Sequence, residues 1–105
     1  MLELGRLEGT LGCADIVLWE IALLDKKQRI ALPVPIGRFL DRLVRALQLQ
    51  VLPISPAIAV RAQADVFQHK DPADRLIAAT AMELGAPLIT QDRKLAQVAG
   101  LRVVW

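Results

Sequence analysis

The chain has 105 residues, a length that holds at most one domain with a modest core. Hydrophobic residues make up 54%, yet only two Trp and two Phe are aromatic. The core must therefore be built from Leu, Ile, Val and Ala, which suits buried parallel strands covered by helices. The formal charge of +2 is compatible with a nucleic-acid partner without arguing for one. The longest apolar run, 16–24, is broken by Glu20 and falls far short of the roughly 20 residues of a membrane span. No membrane role is expected, and the first residues lack a signal-peptide pattern, so a cytoplasmic location follows. The mean hydropathy of +0.40 is high for such a chain and points to a buried partner surface or a missing segment.

In chain order, residues 1–9 read as the end of a helix, stopped around 5–12 by glycines. Residues 10–14 read as a short strand. It carries the single cysteine, Cys13, which has no disulfide partner or metal-site spacing and is expected to be a small core residue. From 15 to 27 the pattern is helical and apolar on nearly every side, which predicts a deeply buried helix. A proline-punctuated loop follows over 30–35. Residues 36–48 form a second helix, with Phe39, Leu40, Leu43, Val44 and Leu47 on one stripe and most charges opposite.

A strand is expected over 50–54. Ser55 and Pro56 then supply an N-cap and a proline at the first helical position, for a helix running to about 66. Asp71 and Pro72 repeat the device for a helix ending at Gly85, where a left-handed cap is expected. A strand over 87–90, a short helix over 92–98 stopped at Gly100, and a last strand over 101–105 complete the chain. Strands alternating with helices argue for an α/β fold with a parallel sheet.

The acids are the residues to weigh. Glu20 has no other charge near it between 16 and 24, and a buried carboxylate needs a cation, a hydrogen-bond partner or an opening to solvent. Its plain reading is exposure to water, or pairing with Lys26 or Arg102. Asp71 reads first as a helix cap, and Asp74, three residues on, suits the helix dipole. The run Leu76-Ile77-Ala78-Ala79 behind Asp74 would hold it rigidly, as a metal ligand requires. Asp92 follows a strand directly, where it either caps a helix or faces the functional crevice of an open sheet.

Carboxylates gathered in one place repel unless a cation intervenes. Mg²⁺ or Mn²⁺ prefers such oxygen ligands and serves phosphate chemistry. Arg75, Arg93 and Lys94 stand beside these acids as candidate phosphate contacts, or as solvated surface charges. His69, the sole histidine, reads as a loop residue, with substrate contact as the alternative.

The pieces Leu18-Trp19-Glu20-Ile21-Ala22, His69-Lys70-Asp71-Pro72-Ala73-Asp74-Arg75-Leu76-Ile77-Ala78-Ala79, Leu88-Ile89-Thr90-Gln91-Asp92 and Val103-Val104-Trp105 together resemble the PIN domain. The resemblance is specifically to the toxin nucleases of VapBC toxin–antitoxin pairs. It implies a PIN-like parallel sheet flanked by helices. It also implies that Glu20, Asp74 and Asp92 are three of four metal-site acids, with Asp71 an additional acid of this subgroup. Implied with them are RNA cleavage with Mg²⁺ or Mn²⁺, a homodimer, and a cognate antitoxin whose tail reaches into the acidic site.

The chain departs from the family pattern at its start. No segment of the Leu-Leu-Leu-Asp-Thr-His type is present, so the first, central strand with its aspartate and the following helix, on the order of thirty residues, are expected to be missing. Residues 1–105 would then be a single, incomplete domain, with its central strands' edges exposed. Asp15 does not replace the lost aspartate, and Val17 stands where related chains often carry Ser. Three readings follow: a metal-dependent endoribonuclease toxin, an inactive remnant that binds an antitoxin or another subunit, and a structural α/β domain.

Overall fold

A computed structural model describes residues 4–7, 10–67, 71–89, 98 and 100–104. The elements are β1 (Leu4–Leu7), β2 (Thr10–Ala14), α1 (Asp15–Lys26), α2 (Ile36–Ala46), β3 (Gln50–Leu52), α3 (Pro56–Arg61), α4 (Pro72–Glu83), β4 (Leu88–Ile89) and β5 (Val103–Val104). The α/β class expected from the alternating pattern is what the chain adopts. The strands form one sheet in the order β3-β2-β1-β4-β5. β2 pairs with β3 in parallel, in register Gly12 to Gln50, and β4 with β5 in parallel, in register Leu88 to Val103.

The sheet's centre corrects the sequence reading in two ways. The segment expected to end a helix is a strand, and the position expected to be vacant is filled by it. β1 runs antiparallel to both neighbours, placing Gly5 opposite Gly12 on β2 and opposite Leu88 on β4. Its local sequence is a poor helix because Gly5 interrupts it. As a strand it pairs the backbone groups that β2 and β4 would otherwise present as bare edges. The sheet is consequently mixed, with a parallel pair on each side of an antiparallel centre.

Two proline-started helices form as their caps dictate. Ser55 Oγ accepts from the Ile58 amide at 3.1 Å, and Asp71 Oδ1 accepts from the Ala73 amide at 2.9 Å. α3 is shorter than expected. After Arg61 the chain tightens into turns, with amides of Gln63 and Ala64 donating three residues back to Val60 and Arg61. The free carbonyl of Ala62 is taken by Arg75 Nε at 2.9 Å. An ion pair of 2.7 Å between Arg61 and Glu83 also joins α3 to α4.

α4 is the helix at the heart of the core, packed against α1, α3 and β2. Ala73, Ile77, Ala78, Ala79, Thr80 and Ala81 are all buried, with Ala78 and Ala79 wholly inaccessible. Thr80 satisfies its hydroxyl on the Leu76 carbonyl at 2.7 Å. Around α4 lie Cys13, Val17, Ile58, Phe67, Leu88, Val98 and Leu101. The deep burial expected of α1 is not found: only Val17 is buried there, and Trp19 is 59% exposed. A helix surface with bulky apolar residues on nearly every side is more than α2, α4 and β2 can cover.

Candidate functional site

α1 and α4 meet over a cavity of about 440 Å³ whose lining includes Glu20, Asp71 and Asp74. α1 contributes Glu20 from its middle turn, beside Val17 and Ile21. α4 contributes its first turn, where Pro72 fixes the entry and Asp71 holds the cap. Ala73 and Ile77 are buried next to Asp74, so that carboxylate stands on rigid backbone. Asp71, beyond lining the cavity, performs the capping role its sequence position suggested.

Glu20 is half-buried, and its pKa is raised above the ordinary glutamate value. Partial burial contributes most, followed by the charges of Asp71 and then Asp74. Neither Lys26 nor Arg102 relieves it. Among the described residues Glu20 forms no ion pair, and Arg102 donates instead to the Gly85 carbonyl at 2.6 Å.

The donor chemistry suits a hard divalent cation, because the side chains of the described lining able to ligate one are carboxylates, with no thiol or imidazole beside them. Repulsion of the kind felt at Glu20 is what such a cation removes. Among the described residues, however, no three acidic, histidine or cysteine side chains form a group able to hold a metal. Asp92, expected as the third ligand, lies outside the described residues, as do Arg93, Lys94 and His69.

Two further side chains have roles that sequence did not reveal. Arg75, expected near substrate, is absent from the cavity lining, and its Nε is committed to the Ala62 carbonyl. Asp15 is not in the lining either: its Oδ2 accepts from the Ile54 amide at 3.3 Å, tying the start of α1 to the chain just after β3, and its Oδ1 is buried with no hydrogen-bond partner among the described residues. Cys13 is a core residue as expected. Burial and the neighbouring Asp15 charge push its thiol up to about 11, which leaves it unreactive at neutral pH.

Two cations that the sequence reading passed over, Lys27 and Arg29, line the same cavity as the acids. The available signal was their place at the expected end of Glu20's helix, but nothing in the sequence marks Gln28, between them, as the left-handed residue that turns the chain there.

The PIN domain sequence profile matches residues 2–101. The chain is also similar to a protein named Ribonuclease VapC22 from Mycobacterium tuberculosis, with 41% identity over 86 residues, or 81% of this chain and 65% of that protein. It thus spans a little under two thirds of the length of the curated relative it matches. No solved structure matches it. With the profile covering nearly every residue, the chain belongs to the PIN domain family.

Proposed function

We propose that the chain is a metal-dependent endoribonuclease of the VapC type, with Glu20, Asp74 and Asp92 as ligands for Mg²⁺ or Mn²⁺. The observation that carries the reading is the shared cavity of Glu20, Asp71 and Asp74, in which burial and then the charges of Asp71 and Asp74 raise the proton affinity of Glu20. Family membership and the similarity to Ribonuclease VapC22 support RNA as the substrate. A bound Mg²⁺ or Mn²⁺ supplies Lewis-acid polarisation of the phosphodiester and activation of water. The chain's own contribution is to fix the carboxylates: Glu20 on α1, Asp74 on the buried start of α4. The same reading makes a cognate antitoxin the inhibitor and a homodimer the working form, in the cytoplasm. No helix among the described residues is long and apolar enough to cross a membrane.

The test is cleavage of a single-stranded RNA with Mn²⁺, Mg²⁺ or EDTA. Cleavage is expected with either metal and not with EDTA. Glu20→Gln, Asp74→Asn and Asp92→Asn should each slow it about a hundredfold or more, the size of losing several kcal/mol of electrostatic stabilisation. Undiminished cleavage by all three variants would overturn the proposal.

A second reading, a non-catalytic module that binds an antitoxin or another subunit, is favoured by one observation. Several large hydrophobic side chains, Trp19, Ile54 and Val60 among them, are exposed, as a partner surface requires. Capture of a purified antitoxin together with no cleavage under any metal condition would establish it.

A further inference from the structure

We infer that Lys27 and Arg29, on the turn that ends α1, seat a phosphate of single-stranded RNA at the rim of the acidic cavity. The inference deepens the nuclease reading and rests on it for the identity of the ligand. Both side chains line the cavity that holds Glu20, Asp71 and Asp74. A hollow of three carboxylates repels an incoming phosphodiester, so approach requires fixed positive charge at its edge. Both residues are exposed, and among the described residues neither forms an ion pair, the Arg61–Glu83 pair lying on α3 and α4. Arginine offers a planar fork for phosphate oxygens and lysine a compact point charge, a complementary pair for one anionic group.

The turn holds the two in fixed relation. The Lys27 amide donates to Leu23 at 3.0 Å, Gln28 to Asp25 at 3.0 Å and Arg29 to Leu24 at 2.9 Å. This closes α1 as a Schellman motif. Its left-handed position is Gln28, with φ of 57°, where glycine would be the unstrained choice. α2 ends the same way at Gln48, with φ of 50°, so the turn itself is a structural device. The α1 turn differs in delivering one cation on each side of its strained residue to the same cavity.

The experiment is a salt titration of binding between the full chain and a fluorescent single-stranded oligouridine, in EDTA so that nothing is cleaved. The double variant Lys27→Gln/Arg29→Gln is compared with Arg38→Gln/Arg42→Gln, which removes equal charge from α2 outside the cavity lining. Loss of two phosphate contacts should flatten the slope of log affinity against log salt by about 1.4 and weaken binding roughly tenfold, with the α2 variant nearer wild type. Equal slopes for the two double variants, or no RNA binding by wild type, would overturn the inference. Thermal melts establish that both variants fold. Cleavage with Mn²⁺ is scored separately. A wild-type chain that binds through Lys27 and Arg29 but never cleaves refutes the nuclease reading alone. Cleavage whose KM is unmoved by the double variant refutes the inference alone.

Discussion

α1 and α4 both bring acids to the cavity, and they do so from opposite conditions. α1 is the more apolar sequence, yet its only buried side chain is Val17, and Trp19 stands out toward solvent. α4 is studded with alanine and carries two charged residues in its first turn region, yet six of its twelve residues are buried. Small side chains let α1, α3 and β2 approach α4 closely, whereas bulky ones on every side of α1 exceed what its neighbours can cover. Burial is thus set by how many elements surround a helix, and hydropathy alone ranks the two in the wrong order. The rigid partner of the candidate site is α4; α1 contributes the half-buried acid and the basic turn.

The contrast can be broken by mutation. The largest effect is expected at the centre of α4. Ile77→Ala should cost about 2–4 kcal/mol in urea unfolding, through lost burial and the cavity left behind. Trp19→Ala on α1 should cost well under about 1 kcal/mol because its site is mainly solvent. Similar losses at the two positions would show that α1 is buried after all.

A smaller effect is expected where α4 begins. Asp71→Ala should cost about 1 kcal/mol from the lost bond to the Ala73 amide, with Asp71→Asn recovering most of it. If Asn restores stability but not RNA cleavage, the two roles of Asp71, cap and lining acid, are separated. If neither variant changes the melting temperature, the cap assignment is wrong.

The smallest effect concerns Glu20. Because its folded pKa is raised, the native state binds that proton more tightly than the unfolded chain does. The contribution to stability is fully present below the ordinary glutamate value and is lost as pH rises from there through the raised one. In metal-free buffer Glu20→Gln should therefore melt slightly above wild type at neutral pH. The two should converge in acid. A gap that widens toward low pH would have the opposite sign and would contradict the assigned environment.

What was legible in the sequence was local. Ser55-Pro56 and Asp71-Pro72 carry their own capping chemistry, and Gly85 takes the left-handed position expected of it, with φ of 64°. Glu20 was identifiable because a lone acid in an apolar helix needs an explanation, and the cavity supplies one. What was not legible depended on distant partners. Leu4–Leu7 becomes a strand because β2 and β4 offer edges on either side of it. Arg75 turns to a carbonyl left free by the early end of α3. Lys27 and Arg29 reach the cavity through a turn built on glutamine, whose left-handed conformation no propensity would have suggested.

A divalent cation is proposed to bind in the hollow between α1 and α4. Titrating the isotopically labelled chain with Mn²⁺, and following paramagnetic broadening of its backbone amide signals, tests this directly and needs no catalytic turnover. Broadening should begin at the amides around Glu20 and Asp74 and disappear from them in Asp74→Asn. Broadening centred elsewhere, or unchanged by that substitution, would mean that the cation does not bind between α1 and α4.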